Sequence, residues 1–511
     1  MLSFFSKKHR KQKQNNQTKQ KTPVIDEVHL TISLDLEENI ESIKKALGNS
    51  DDILVRDLHI QNKKAKLIYL YSLADNVTIQ SVLDDLLSSN YSIEESSNFN
   101  LVKIKSEDDQ KTIITNLLTG FVLLFLEGQK EPYSFMALRS DGRQVTIPTT
   151  ENVVRGSHEG YVESLQTNLF LIRKGVVSPN LTIKQLKVGK EAEKTAAIVY
   201  LNNVADLDLV NKIEERIKSI DVDSVFSLSV LEAYIEEYSI TPFSQTLTTE
   251  RIDRSAGGLL EGRIVLLLDG NPCASILPIS FISFFQSPDD YNLRFLVASF
   301  NRIIRFTSFF TAILLPAFYI AIVGFHYEVV PQRIIFTVQK SVESIPYGPL
   351  VEAGIVEVFI ELIREATLRL PTKIGPTIGI VGGLVIGDAI VKAGLVSNIM
   401  VVVVALTAIS SFVIPSSEMS ATVRILRFPF MFLASILGIY GIVIGIVLLV
   451  GHLCKLRPFG VPYLTPFTPL KWKDLKDTII RAPIFTLNTR PTDSLARNTV
   501  RERFSRWWKK R

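Results

Sequence analysis

The sequence predicts an α/β (α+β) N-terminal region of two repeated subdomains, placed in the cytoplasm, followed by an all-α polytopic membrane domain. Three observations predict it. Mean hydropathy is positive, +0.21, although 21% of residues are charged. The apolar residues must therefore be concentrated, and the long uncharged runs lie almost wholly after Phe306. Before that point, short β-patterned runs alternate with helical periodicity, and the pattern recurs once. A chain of 511 residues also exceeds one ordinary domain.

Residues 1–22 are dominated by Lys, Gln and Asn and contain no acid. Such a tract cannot bury apolar area, so a disordered basic tail is expected there. Its apolar start, Met1 to Phe5, is too short for the core of a secretory signal. The first subdomain is expected over 23–110: a helix from Leu36 to Leu47, strands at Ile53–Ile60 and Ala65–Leu73, and a helix at Val77–Leu87.

The second subdomain is expected over 111–300. Ile113 to Leu126 is apolar but short, with Asn116 and Gly120 inside it, so it reads as a buried helix running into a buried strand. Tyr133 to Leu138 continues the strand pattern before Asp141-Gly142. Tyr200-Leu201-x-x-Val204-Ala205-Asp206 repeats Tyr69-Leu70-x-x-Leu73-Ala74-Asp75. Leu186-Lys187-Val188 matches Leu58-His59-Ile60, and Asn168-Leu169 matches Asn39-Ile40. Two copies of a helix–strand–strand–helix unit follow from the order of these blocks. Gly262 to Leu268 reads as a buried strand ending in a tight turn at Asp269-Gly270. Ser287-Pro288-Asp289-Asp290 reads as a helix start. The helix from Asp289 to Arg305 carries Arg294, Arg302 and Arg305, cations suited to a phosphate-rich membrane surface.

The membrane domain is expected over 301–454, with spans near 306–325, 374–391, 395–414 and 428–450. Pro316 is expected to kink the first. The stretch Ile374–Ile414 holds six glycines in its first half, and Asp388 and Lys392 are its only charges. That pair should face a partner helix or water, because lipid exposure is costly. Leu350 to Leu370 forms an amphipathic or membrane-embedded helix with Glu357, Glu361 and Glu365 on one face. Such a stripe lines a cation pathway, becoming stacked rings in an oligomer, or it is a solvated face whose acids pair with Arg364 and Arg369. Both readings stand. The pore or gating candidates are Glu357, Glu361, Glu365, Asp388 and Lys392. Residues 455–511 form a basic tail, which the positive-inside rule places in the cytoplasm. Its Trp507-Trp508 pair suits an interfacial anchor.

Little catalytic chemistry is legible. Cys273 and Cys454 offer neither a disulfide framework nor a metal-type spacing. No phosphate-binding Gly-x-x-x-x-Gly-Lys loop, no His-Glu-x-x-His and no Gly-x-Ser-x-Gly occurs. Gly156-Ser157-His158-Glu159-Gly160 looks like part of an active site, but nothing supplies the rest of a triad. The acids and arginines beginning at Glu250 read as a structural or interface network: Glu250, Arg251, Asp253, Glu261, Arg263 and Asp269. A non-enzymatic chain is expected, with no cofactor, metal or nucleic-acid partner.

Several blocks resemble one family. They are Thr249-Glu250-Arg251-x-Asp253, Leu259-Leu260-Glu261-Gly262-Arg263, Asp269-Gly270-x-Pro272 and Phe285-Gln286-Ser287-x-Asp289-Asp290-Tyr291. His326-x-Glu328-x-x-Pro331, Arg364-Glu365-Ala366-x-x-Arg369-Leu370-Pro371 and Ile380-Val381-Gly382-Gly383-Leu384-Val385-Ile386-Gly387 continue the series. Ala393-Gly394-Leu395-Val396-Ser397, Phe459-Gly460-Val461-Pro462-Tyr463 and Arg490-Pro491 complete it. The chain thereby resembles the A subunits of GerA-type spore germinant receptors, from about Pro23 to Pro491. Ile252 and Ser157 stand where many members carry Pro. The resemblance implies a protein of the spore inner membrane acting with a transporter-like B subunit that senses the nutrient and a lipoprotein C subunit. It implies a homo-oligomer, with a pentamer as one size, that conducts cations when gated by nutrient. Two other readings remain: a secondary transporter, for which inverted repeats among the spans are missing, and a non-conducting scaffold.

Overall fold

The computed structural model describes residues 32–60, 63–88, 101–104, 109–139, 147–343, 345–371, 383, 385 and 387–502. The basic tract 1–22 and most of the expected span 374–391 lie outside the described residues. The chain divides into two compact units, Met1–Ser140 with Val176–Thr182, and Asp141–Gly175 with Ile183–Arg511.

In the first unit, α1 (Leu36–Ala46) starts at Asp35, whose side chain accepts the Glu37 amide. Then come β1 (Ile53–Ile60), β2 (Lys63–Leu70), α2 (Asn76–Ser88), β3 (Val102–Lys103), α3 (Asp109–Leu118), β4 (Phe121–Leu126) and β5 (Tyr133–Met136). The strands form one antiparallel sheet in the order β1-β2-β4-β5-β3. Alternate residues Leu67, Tyr69, Val122 and Leu124 face Ile79, Val82 and Leu83 of α2 in its core. The expected boundary at 110 is thus corrected. β4 and β5 hydrogen-bond into the first sheet through β2, so the first subdomain runs on to residue 139. Sequence periodicity marks strands but not which sheet they join.

The second unit opens with α4 (Leu165–Gly175), β6 (Leu181–Val188), β7 (Lys194–Leu201), α5 (Leu207–Lys218) and α6 (Leu228–Ile235). β8 (Leu247–Thr249), α7 (Ile252–Glu261), β9 (Ile264–Leu268) and β10 (Ala274–Leu277) follow. The sheet order β6-β7-β9-β10-β8 repeats that of the first. The duplication extends to single bonds. Asn39 accepts the Ser33 amide at 2.7 Å and donates to its carbonyl at 2.9 Å. Asn168 does the same to Val162, at 2.9 and 2.6 Å. Asp75 and Asp206, matched in sequence, each accept an amide at the start of the following helix.

A helical region follows: α8 (Asp289–Asn292), α9 (Phe295–Phe325), α10 (Gln332–Glu343), α11 (Pro349–Arg369), α12 (Asn398–Val413), α13 (Ser417–Leu437) and α14 (Ile439–Lys455). Among the described residues, α9 and α13 are long and apolar enough to cross a membrane, and α12 and α14 are shorter apolar helices. α9 packs against α12, α13 and α11 and so forms the centre of the group. Two expectations change. The helix expected over 289–305 is a single turn, α8, and the first long helix starts at Phe295, not Phe306. The run 428–450 is not one span. It is broken at Gly438, whose φ of 60° and ψ of −135° suit only glycine, and α13 extends back to Ser417. Uniform apolarity concealed that break.

α13 and α14 double back on each other through Gly441 and Gly445. A Cβ on Gly441 would lie 2.1 Å from the Leu433 carbonyl oxygen, and one on Gly445 would lie 2.7 Å from the Phe430 ring. Small residues four apart permit this approach. Gly441→Ala is expected to destabilise the purified chain by at least about 2 kcal/mol, since the obstacle is backbone and cannot rotate away. An unchanged melting temperature would refute the packing.

The basic C-terminal segment, expected over 455–511, packs onto the rest of its unit as far as it is described. Residues 456–502 form an ordered run of short 3-10 turns with Tyr463, Arg481, Asp493 and Ser494 buried. Composition suggested a tail, but its few acids neutralise arginines from other elements.

Candidate functional site

Where the sheet region of the second unit meets α9, charge is buried in quantity. Asp290, on α8, is fully buried. It accepts from Arg302 Nε at 2.8 Å and from Arg305 Nη1 at 2.8 and 2.9 Å. Arg302 also donates to Asp477 Oδ1 at 2.6 Å and to the Thr478 carbonyl. Tyr291 donates its hydroxyl to Asp477 Oδ2 at 2.8 Å, and the guanidinium groups of Arg302 and Arg481 stand 5.6 and 5.5 Å from its ring centre. Burial, then the Asp477 carboxylate, holds the Tyr291 hydroxyl well above its usual range, so it stays a donor. Arg302 and Arg305 therefore do not reach out to lipid phosphate, as their sequence position had implied. They tie the first turns of α9 to α8 and to the C-terminal segment.

A second clamp lies nearby. Arg263 donates from Nη2 to both oxygens of Asp493, at 3.1 and 3.0 Å, and from Nη1 to the Pro278 carbonyl. Its contact with Glu261 is longer, 3.4 Å. Burial opposes the Arg263 charge, but the carboxylates of Asp493 and Glu261 outweigh it and its pKa is raised. Burial also pushes Glu261 up from the ordinary carboxylate range. Between α7 and the C-terminal segment is a cavity of about 490 Å³, walled by Gly257 and Glu261 of α7, Ile276, Tyr291, Ile484, Leu487 and Glu502. The size suits a small organic molecule. The two α7 glycines differ. A Cβ on Gly258 would come within 3.2 Å of Ile276, so helix and sheet approach closely there. A Cβ on Gly257 would meet nothing within 4 Å, yet glycine inside a helix costs about 1 kcal/mol relative to alanine.

The other predicted interface residues hold loops. Glu250 accepts the Thr149 amide at 2.6 Å and the Thr150 hydroxyl at 2.9 Å. Arg251 is paired with Asp253 at 2.6 Å and donates to the Ser157 carbonyl at 2.8 Å. Arg254, which had no place in the expected set, pairs with Glu151. The Gly156–Gly160 stretch is thus a strap held against α7, with Glu159 spent on Lys174 at 2.8 Å. Asp269 is separate from these groups: it accepts the Leu165 amide at the start of α4.

In the helical region, the acids expected to form a stripe do not share one environment. Glu357 is fully buried against Arg427, and Glu361 pairs with Arg424 at 2.8 Å. Arg364 does not pair with the acids. It donates to the Ser411 hydroxyl at 3.2 Å and lies 4.3 Å from the Phe412 ring centre. Glu365 and Arg369 pair on the surface, as do Asp388 and Lys392 at 2.6 Å, with side chains more than half exposed in the single chain. Glu352 escaped the sequence reading because it sits five residues before Glu357, off the four-residue period. It is buried and accepts the Ser397 amide at 2.7 Å, at the start of α12. Arg424, Arg427, Asp477 and Asp493 also escaped it, because partners 63 to 230 residues apart leave no local pattern. Asp290 stood inside a recognisable block, but as a helix-start acid.

Comparison with known proteins matches the chain to one group. Residues 41–493 match the family model described as Bacillus/Clostridium GerA spore germination protein. The chain is 36% identical over 482 residues to spore germination protein KA of Bacillus subtilis (strain 168), covering 92% of this chain and 89% of that one. It is 36% identical over 488 residues to spore germination protein B1 of the same organism, covering 93% and 100%. The crystal structure of the N-terminal domain of the A subunit of the Bacillus megaterium spore germinant receptor GerK3 matches with 28% identity and a TM-score of 0.38, over 49% of this chain and 98% of that one. The chain belongs to the GerA family of spore germination proteins.

Proposed function

We propose that this chain is the A subunit of a nutrient germinant receptor in the spore inner membrane, and that copies of it assemble into a ligand-gated cation channel. In this reading its helices span the membrane, its soluble region and C-terminus face the spore core, and it works with a transporter-like B subunit and a lipoprotein C subunit. It acts as a receptor component, not an enzyme. One observation carries the channel reading. Ion pairs, Glu365 with Arg369 and Asp388 with Lys392, lie exposed on the apolar helical region. Charges at membrane depth avoid lipid, so each pair faces water or another copy. Glu361, less than one-third exposed beside Arg424, is the carboxylate next in line along α11. In a ring of copies these acids lower the electrostatic energy of a passing cation.

The test is cation release from spores. Glu361→Gln and Asp388→Asn, at protein levels matched to the parent, are expected to slow nutrient-triggered release of monovalent cations severalfold. Parent-like release from both variants removes the pore assignment. A scaffold reading has one observation in its favour: Glu357 and Glu361 are already neutralised by arginines within the single chain. Reconstitution with both partner subunits separates the two, because a scaffold gives no conductance when nutrient is added.

A further inference from the structure

The cavity behind α7 has an uneven electrostatic wall. Two of its three arginines are spent: Arg254 on Glu151 and the carbonyls of Ser283 and Gln286, Arg263 on Asp493 and the Pro278 carbonyl; the third, Arg501, is 41% exposed and stands 3.9 Å from Glu261. Two of its carboxylates are incompletely paired. Among the described residues Glu261 accepts one long hydrogen bond from Arg263 Nε, at 3.4 Å, and has a second ion contact at 3.9 Å to Arg501. Glu502 Oε1 is buried with no hydrogen-bond partner among the described residues. Asp253, the third acid of the wall, is occupied by Arg251. A buried acceptor without a donor is costly, and a charged donor is the strongest remedy. The remaining wall sets apolar Ile276, Ile279, Ile484 and Leu487 beside polar Ser283, Gln286, Ser287 and Asn292. Gly257 completes the argument, because its missing side chain serves no packing contact and leaves the space open.

We propose that this cavity binds a small, largely apolar molecule bearing an ammonium group. Glu261 and Glu502 accept its N–H donors, and Ile276, Ile484 and Leu487 enclose its hydrocarbon part. An ammonium group offers three donors on a compact centre, which suits two carboxylates better than a planar cation locked to one. The wall includes Tyr291, so an occupant touches a group that hydrogen-bonds Asp477 and through it Arg302 of α9. The site stands whether or not the helices conduct ions.

Calorimetric titration of the purified full chain in detergent micelles tests this, with cyclohexylammonium, cyclohexanecarboxylate and cyclohexanol as probes. Saturable one-to-one binding is expected for the ammonium compound alone. Its affinity is expected to rise with pH through the raised titration range of Glu261, as the carboxyl ionises. Glu502→Gln is expected to weaken it roughly tenfold or more, the effect of losing a hydrogen bond to a charged group. Gly257→Leu fills the space and is expected to abolish it. No saturable binding of the ammonium compound, equal binding of all three probes, or unchanged affinity in folded Gly257→Leu overturns the site. Should Gly257→Leu fail to fold, unchanged affinity in Glu502→Gln overturns it instead.

Discussion

Asp290→Asn is expected to cost about 3–5 kcal/mol, the price of leaving buried guanidinium groups without their counter-charge. Asp290 is where α8 meets both Arg302 and Arg305, and Arg302 carries the link on to Asp477. The asparagine retains one carbonyl acceptor but turns a donor toward cations. A domain is stable by only about 5–15 kcal/mol, so the loss is a large fraction of the whole. The measurement is thermal unfolding of the purified chain in detergent, with limited proteolysis of the segment around residues 470–500. That segment should be cut sooner in the variant, because Asp477 loses a positioned partner. Asp289→Asn is the control: among the described residues its neighbouring carboxylate accepts the Val154 amide alone, at 3.2 Å and near the surface. Should Asp290→Asn melt within about 1 kcal/mol of the parent, as ordinary surface ion pairs do, the clamp is not what fastens α9.

The second large effect is expected at Glu357 and Arg427. Their pair is fully buried between α11 and α13, and Glu357 Oε1 and Arg427 Nε have no hydrogen-bond partner among the described residues. Arg427→Leu strands a carboxylate and Glu357→Leu strands a guanidinium, so each single change is expected to destabilise by about 3–5 kcal/mol. The double leucine variant should recover most of that loss, because two apolar side chains of similar reach replace the pair without leaving a charge behind. Unfolding of the four proteins in a common detergent reads the coupling. Additive losses would show that the two residues act separately. The cycle also bears on the channel proposal. If the pair holds α11 in one of two positions, the double variant should fold normally and still change cation release.

Several elements were legible because their causes are local. The helix from Leu36, the strands at Ile53–Ile60 and Ala65–Leu73 and the buried helix-to-strand run from Ile113 to Leu126 all follow from neighbours in the chain. The duplication was legible too, since Asn39 and Asn168 perform the same bond with backbone six residues away. The break at Gly438 was not legible, because glycine within an apolar run reads equally as helix packing or as a turn. The acid stripe was legible as a periodicity, but the partners of two of its members were not. Spacing placed Glu357, Glu361 and Glu365 on one face and offered Arg369 to the last of them, while Arg427 and Arg424, the partners of Glu357 and Glu361, came from a helix more than sixty residues on.

The sequence by itself determined the family, the division into an α/β region and an apolar helical region, and the repeated unit. Those properties reside in composition, period and short ordered blocks. Only the tertiary structure decided what the charges do. It turned Arg302 and Arg305 inward, paired Asp477 and Asp493 of the basic C-terminal segment with arginines from other elements, and left Glu261 and Glu502 facing an open cavity. The physical reason is that a buried charge must find its opposite wherever the fold brings one, and that distance in space is not written in distance along the chain.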